Sequence, residues 1–365
     1  MVSDDKRIYA MKYSITIVTA LMAALAAVRI AMASPDVYIP LGESGRIQVI
    51  DAASGRITGS IGDLSNVHGL AITPDRRSLV VGSFAETPAD AGAAPPRPTN
   101  VSEADHEKHH AMTPTAPATG SVSFVSIVDT ATRKVTRRIS VRGAVHHVTV
   151  SPNGRYAVTT HPGAGGISVI DLRAFEVAAT VQTGPAPNYA AFTSDGRRLY
   201  VSNTGAANVS EIASDSWAVI RSITTGRGPE HLVLSADDGT LYVNNVADGN
   251  VSVVSLAEGR PIKTFAVGKA PHGIDRSNDG AKLFVTSKGD NRLVAIDLAT
   301  DAQRHMELAP APYHVTTVSG SGHVYVSSRG EHRIWVIDQQ DLSLRDEIAI
   351  GGIGHQMVVA QRQRY

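Results

Sequence analysis

Residues 272–287 read HGIDRSNDGAKLFVTS, and residues 230–245 follow the same plan as EHLVLSADDGTLYVNN. Each copy starts at a polar residue, continues as a short apolar strand, turns at an Asp-Gly pair and ends in a β-rich tetrad. Asp-Gly between two apolar runs is a strong short-range signal for a β-hairpin. The two copies lie 42 residues apart, so the sequence predicts a repeating β unit of that length.

The first residue of each copy, which we call the anchor, recurs along the chain. From residue 146 onward the steps between anchors are 42, 42, 42, 42 and 41, and the first step is 78, which is 42 plus an insertion of 36. The seven anchors are His68, His146, Asn188, Glu230, His272, His314 and His355. A third and a fourth apolar strand follow each tetrad. Four antiparallel strands in about 40 residues are typical of a β-propeller blade.

The tetrads also carry a family resemblance. They include YVSN at 200–203, YVNN at 242–245, FVTS at 284–287 and YVSS at 325–328. On these motifs the chain resembles the YVTN-repeat, YncE-like family of exported seven-bladed β-propellers, over roughly residues 37–360. The resemblance implies an all-β fold of four-stranded antiparallel blades. It implies little about activity, because one fold serves many unrelated functions.

The last blade needs strands from both ends of the chain. Only one strand, at 356–360, follows His355, whereas residues 37–40, 46–51 and 56–61 read as three strands that lack a first one. We therefore predict that the last blade combines three N-terminal strands with the C-terminal strand. Closure of this kind leaves no free sheet edge in the ring.

The N-terminal segment is predicted to be a signal peptide. Basic residues precede an uncharged, mostly apolar stretch at 13–28, and Ala31-Met32-Ala33 matches an A-x-A cleavage pattern. The apolar run is shorter than the about 20 residues of a membrane span. We expect a signal peptide over 1–33 and a periplasmic or secreted mature propeller over 34–365, with no span after cleavage. An uncleaved N-terminal anchor is the alternative.

Composition narrows the classes of function. Lys+Arg and Asp+Glu are both 34, and a chain without net charge lacks the basic stripe with which proteins hold nucleic acid. The chain has no cysteine, which excludes disulfides and thiol chemistry. Any metal must therefore be held by His, Met, carboxylate or backbone groups. We expect a monomer that does not bind nucleic acid.

Histidines concentrate at one face of the predicted ring. Five of the seven anchors are histidine, and His147 and His231 directly follow two anchors. The last tetrad residue is expected to lie at the same face, where His161 stands in place of the usual Asn. The candidate metal ligands are His68, His146, His147, His161, His231, His272, His314 and His355. Glu230 is the candidate catalytic base.

These residues permit several functions. Imidazole is the commonest metal ligand, and His with Met and without Cys suits copper. We therefore expect a binding protein whose axial face takes a metal, with copper favoured, or a small ligand. The alternatives are a copper-dependent oxidoreductase or metal-assisted lyase at the same face, and a metal-free scaffold that binds a protein partner there. An anchor histidine could also serve only to hydrogen-bond backbone around the channel mouth.

An insertion interrupts the first full blade between its second and third strands. Residues 85–119 are rich in Ala, Pro and Thr and carry His106, His109, His110 and Met112. Such composition predicts little regular structure. We expect this flexible segment to lie over the anchor face as a lid or a metal-collecting arm.

Overall fold

Seven β-sheets follow one another along the chain in the computed structural model, which describes residues 34–88 and 120–360. Six sheets have four strands, and one has five. The prediction of a seven-bladed β-propeller with four-stranded antiparallel blades is therefore confirmed. Over the described ranges, the only helical segments are two 3₁₀ turns, Thr204–Ala206 and Lys288–Asp290. No helix within these ranges is long and apolar enough to cross a membrane.

The strands occur in chain order and fall into blades. The three N-terminal strands are β1 (Asp36–Pro40), β2 (Ile47–Asp51) and β3 (Ile57–Ile61). Blade 1 contains β4 (Val67–Ile72), β5 (Ser78–Ser83), β6 (Thr87–Pro88), β7 (Ser121–Asp129) and β8 (Lys134–Arg142). Blade 2 contains β9 (Val148–Val150), β10 (Tyr156–His161), β11 (Gly166–Asp171) and β12 (Glu176–Gln182). Blade 3 contains β13 (Pro187–Phe192), β14 (Arg198–Asn203), β15 (Asn208–Ala213) and β16 (Ala218–Thr224).

The second half of the chain continues the same order. Blade 4 contains β17 (Pro229–Leu234), β18 (Thr240–Asn245), β19 (Asn250–Ser255) and β20 (Arg260–Ala266). Blade 5 contains β21 (Pro271–Arg276), β22 (Lys282–Ser287), β23 (Arg292–Asp297) and β24 (Gln303–Glu307). Blade 6 contains β25 (Pro312–Val318), β26 (His323–Ser328), β27 (Arg333–Asp338) and β28 (Leu344–Ala349). The last strand is β29 (Val358–Ala360).

Short polar turns connect the first two strands of each blade. In blade 5, the carboxylate of Asp279 accepts hydrogen bonds from the Ser277 hydroxyl at 2.5 Å and from the Ala281 backbone N–H at 3.0 Å. Gly280 has a φ of 72°, a left-handed conformation that glycine adopts without a steric penalty. The Asp-Gly pair therefore forms the turn that its sequence predicts.

The hydrophobic core lies between neighbouring blades. Side chains of blade 5, such as Phe284 and Leu293, pack against Val326 and Trp335 of blade 6, and all four are buried. Each blade thus packs one of its faces against apolar residues of the preceding blade and its other face against those of the next blade. This packing holds the inner strands in a ring around a central channel.

Blade 7 is shared between the two ends of the described chain. Its strand order is β29-β1-β2-β3, and β29 pairs antiparallel with β1 so that Asp36 faces Ala360 and Tyr38 faces Val358. Met357, just before β29, is buried in the core cluster that joins blade 7 to blade 6. The predicted closure is confirmed. The C-terminal strand is shorter than predicted and begins at residue 358 rather than 356.

Candidate metal centre at the anchor face

Local backbone geometry turns the anchors toward the channel mouth. Strand β21 pairs with β22 at Pro271 and again from Ile274, and the register shifts between them, at His272 and Gly273. The same irregularity occurs at the start of β4, β13, β17 and β25. A bulge re-aims the side chain that it carries. The anchors of these five strands therefore leave the regular in-and-out alternation of a strand.

Three histidines from successive blades converge at the channel mouth. His231, His272 and His314 are all buried, and each offers one ring nitrogen within 4.8 Å of the other two. Nitrogens that share one metal at about 2.1 Å in a tetrahedral site lie about 3.4 Å apart. The separations within the group exceed this distance by at most about 1.4 Å. We call this group the histidine triad.

A buried carboxylate orients one ring of the triad. Glu230 Oε2 lies 3.0 Å from His272 Nδ1, and both side chains are almost fully buried. A carboxylate only accepts, so His272 Nδ1 donates, which in the neutral ring leaves the lone pair on Nε2. A carboxylate behind a histidine is the usual second partner of a metal-binding imidazole.

The remaining anchor histidines form a second group, in which the ring of His68 lies between two others. Its centre is 4.5 Å from that of His146 and 4.4 Å from that of His355. His68 Nδ1 donates to the carbonyl of His146 at 2.7 Å, and His146 Nδ1 donates to the carbonyl of Asn188 at 3.1 Å. These bonds tie neighbouring blades together. The two groups meet where the rings of His314 and His355 lie 6.0 Å apart.

A surface cavity adjoins the second group. Its volume is about 380 Å³, and its lining includes His68, His355, Phe84 and Arg329. Arg329 is buried, with its guanidinium carbon 5.4 Å from the centre of the Tyr313 ring. Tyr313 in turn stacks on His272 at 4.0 Å with an interplanar angle of 8°. Arg329 and Tyr313 thus connect the lining of this cavity to the triad.

His147 lies deeper in the channel and differs from the anchors in its hydrogen bonding. Its Nδ1 accepts from the backbone N–H of Ala190 at 3.2 Å, so a neutral ring carries its proton on Nε2. Burial lowers the pKa of His147 well below its ordinary value, and the nearby His231 and His146 lower it further. In this tautomer His147 is a donor, and the structure does not place a free lone pair of its ring at the triad.

His161 lies within blade 2, apart from the triad. Its Nδ1 is 3.1 Å from the Ala144 carbonyl, and its Nε2 is 2.8 Å from the Ser168 hydroxyl and 3.0 Å from that of Thr159. In blade 3, Asn203 takes the equivalent position and donates to the equivalent serine at 2.9 Å. The last tetrad residues do stand opposite the residues that precede the anchors, as Asn203 does with Pro187, but both ring nitrogens of His161 are hydrogen-bonded within its own blade. These residues fasten loops within their own blades.

Sequence reasoning missed Tyr313 and Arg329, which line the site together with the anchors. One signal was available for Tyr313. In blades 3, 4 and 5 a proline directly precedes the anchor, and in blade 6 the residue in that place is tyrosine. The predicted signal peptide at 1–33 and the insertion residues His106, His109, His110 and Met112 lie outside the described residues.

Comparison with known families gives one match. A family model described as "Lactonase, 7-bladed beta-propeller" matches residues 173–341, which is less than half of the 365 residues. The matched stretch contains the whole triad and Glu230. The earlier resemblance to the YVTN-repeat family thus holds at the level of a seven-bladed propeller, and the model that matches is lactonase-type. We found no match among curated proteins.

Solved structures of low identity share the fold. A periplasmic gluconolactonase from Pseudomonas aeruginosa is 18% identical with a TM-score of 0.67, covering 89% of this chain and 99% of that one. A putative 6-phosphogluconolactonase from Bacteroides fragilis is 14% identical with a TM-score of 0.70, covering 90% and 98%. Kuenenia stuttgartiensis hydrazine synthase is 17% identical with a TM-score of 0.63, covering 84% and 95%. At these identities the similarity establishes the propeller alone.

Proposed function

We propose that this protein is an exported β-propeller that binds one metal ion at the histidine triad, with copper favoured. The observation that carries the proposal is the convergence of His231, His272 and His314, three buried side chains from three successive blades, within 4.8 Å. Each ring stands at the start of a rigid inner strand. Three imidazoles on rigid elements can hold a metal and leave a coordination position for a further ligand.

The surroundings of the triad support a metal more than a purely structural cluster. Glu230 sets the tautomer of His272, which is the role that an outer-shell carboxylate plays at a metal site. The cavity is lined by His68 and His355, and the ring of His355 lies 6.0 Å from that of His314. A small ligand would approach the triad from this side. The ligands are imidazoles alone, which suit copper and zinc, and Cu²⁺ binds most tightly among the divalent ions of the first transition row.

Metal content of the purified protein tests this proposal. Protein without a His tag would be equilibrated with Cu²⁺ or Zn²⁺, desalted and analysed for metal, alongside His272→Ala/His314→Ala. We expect about one equivalent in the wild type and none in the double variant. His305→Ala/His323→Ala, with histidines outside the triad, serves as the matched control and should retain the metal. Wild-type protein that retains no metal would refute the proposal and favour the scaffold that binds a protein partner at this face.

A second candidate is lactone hydrolysis at the same face. Residues 173–341, which match the lactonase-type family model, contain Glu230 and the triad, and two similar structures carry gluconolactonase names. Opening a lactone requires a base that takes a proton from water and a group that stabilises the carbonyl oxygen. The Glu230 carboxylate, or a ring of the triad, would take the proton.

Hydrolysis of glucono-δ-lactone tests the second candidate. The rate of acid release would be followed at pH 6.5 for the wild type, Glu230→Gln and His305→Ala, each corrected for spontaneous hydrolysis. We expect Glu230→Gln to reduce the catalysed rate by 10²-fold or more, the typical contribution of a general base, and His305→Ala to leave it unchanged. A wild-type rate equal to the spontaneous one would exclude this substrate.

A further inference from the structure

The central channel has a cavity behind the triad. Its volume is about 470 Å³, and the inner strands of several blades line it, with His147, Tyr189, Ala191 and Gln356 among the lining residues. The ring of His147 stacks on Tyr189 at 3.5 Å, and Tyr189 lies 4.5 Å from the ring of His231, a member of the triad. Tyr189 thus contacts both His147 and a member of the triad.

One buried donor in this channel has no acceptor. His147 Nδ1 accepts from the Ala190 N–H, which fixes the ring proton on Nε2. Within the described ranges, His147 Nε2 is buried and has no hydrogen-bond partner. A buried donor without an acceptor costs free energy, and native proteins rarely leave one unpaired. A molecule in the cavity that His147 lines would supply the acceptor.

The charge of the channel wall determines which acceptor fits. Asp275 stands on the inner strand β21, and its carboxylate accepts from the backbone N–H of Thr317 at 2.7 Å and from the hydroxyl of Thr317 at 3.0 Å. Burial raises the pKa of the Tyr189 hydroxyl above its usual value, and the carboxyl group of Asp275 raises that pKa further. The two charged residues that line the cavity itself, Asp238 and Arg276, have opposite signs. Burying an anion there would cost its desolvation without a net countercharge, whereas an uncharged oxygen avoids that cost.

Most of the remaining lining is apolar, and part of it is small. Ala71, Ala191 and Val358 line the cavity at the same register in their strands. Gln356 is the only primary amide in the lining. Its side chain is already hydrogen-bonded to the backbone of two blades, since Oε1 accepts from the N–H of Leu70 and Nε2 donates to the carbonyl of Val148. A ligand must therefore combine an apolar body with one oxygen acceptor.

We propose that the channel behind the triad is a binding site for a small uncharged carbonyl compound, whose oxygen accepts a hydrogen bond from His147 Nε2–H. The site is independent of the proposed metal, because His147 donates here and offers no lone pair to an ion. Tyr189 covers one face of the His147 ring and also contacts a member of the triad.

Nitrogen NMR of protein labelled with ¹⁵N-histidine tests the proposal, with cyclohexanone as the carbonyl probe and cyclohexanecarboxylate as its anionic counterpart. In the free protein the ring shifts of His147 should show a proton on Nε2. Cyclohexanone should move the Nε2 resonance saturably, and cyclohexanecarboxylate should bind at least tenfold more weakly. A proton on Nδ1, or no response to cyclohexanone, would overturn the proposal.

Two variants keep the result interpretable. His147→Phe retains an aromatic ring on Tyr189 but removes the donor, and should weaken cyclohexanone binding by about three- to tenfold. Ala191→Leu leaves the hydrogen bond between Ala190 and His147 in place and fills the channel, so it should abolish binding, as followed at His147. Unchanged affinity in both variants would place the probe elsewhere. None of these measurements depends on whether the triad takes metal.

Discussion

Replacing His161 with asparagine tests whether this histidine has a structural role outside the metal site. Both ring nitrogens of His161 are hydrogen-bonded within blade 2, and the side chain is 3% exposed. In blade 3 the same position holds Asn203, and in blade 4 it holds Asn245. His161→Asn should therefore fold normally and change the free energy of unfolding at pH 7 by no more than about 1 kcal/mol.

The effect of the substitution should depend on pH. Burial lowers the pKa of His161 to about 4 in the folded state, against about 6.5 in an unfolded chain. Between these two values the unfolded state binds a proton that the folded state does not, so the wild type loses stability as the pH falls from 6.5 to 4. A difference of 2.5 pH units corresponds to roughly 3 kcal/mol, and His161→Asn removes this loss.

Urea denaturation at pH 4, 5, 6 and 7 measures the effect. The difference in unfolding free energy between variant and wild type should grow in favour of the variant by roughly 3 kcal/mol from pH 7 to pH 4. Other buried histidines contribute equally to both proteins and cancel. A difference that stays constant with pH would refute the reasoning, and so would loss of bound metal in His161→Asn.

Further predictions concern the closed blade and the triad. Met357→Ala should lower the free energy of unfolding by about 2–5 kcal/mol, measured by urea denaturation. Leu344→Ala, at an exposed position, is the control and should change it little. Equal effects of the two substitutions would count against a tight closure. Truncation after Gly351 should abolish the single cooperative thermal transition, and an unchanged melt would show that β29 is dispensable. Glu230→Gln should weaken metal binding about 10–100-fold in competition with a chelator, with the exposed Glu258→Gln as control; equal affinities would remove Glu230 from the site.

Most of the fold could be predicted from the sequence because each period of 42 residues corresponds to one blade. Each blade needs four strands and three turns, and the turn residues recur at fixed offsets, as at Asp279 and Gly280. The sharing of blade 7 followed from counting strands. The period did not predict that β29 starts at Val358. Gln356 lies before the strand, and its side-chain amide is hydrogen-bonded to the backbone of blades 1 and 2.

The site could be predicted only in part. Equal spacing places the anchors at one face, and His272 and His314 do meet there. Spacing says nothing about which ring nitrogen carries a proton. The tautomer of His147 depends on the N–H of Ala190 in the next blade, and that of His272 on the carboxylate of Glu230. For His161, the asparagines in neighbouring repeats were the available sign of a structural role.

The pairing of β1 with β29 has a consequence for how the protein folds. Asp36 and Ala360 are neighbours in the finished sheet, so this pairing closes the longest loop in the described chain, at the largest entropic cost. We expect blade 7 to form last, after six blades have already assembled. Until then β1 presents an unpaired edge that a C-terminal strand from another molecule could occupy. Refolding at high concentration should therefore yield dimers that exchange β29, whereas dilution favours the closed monomer.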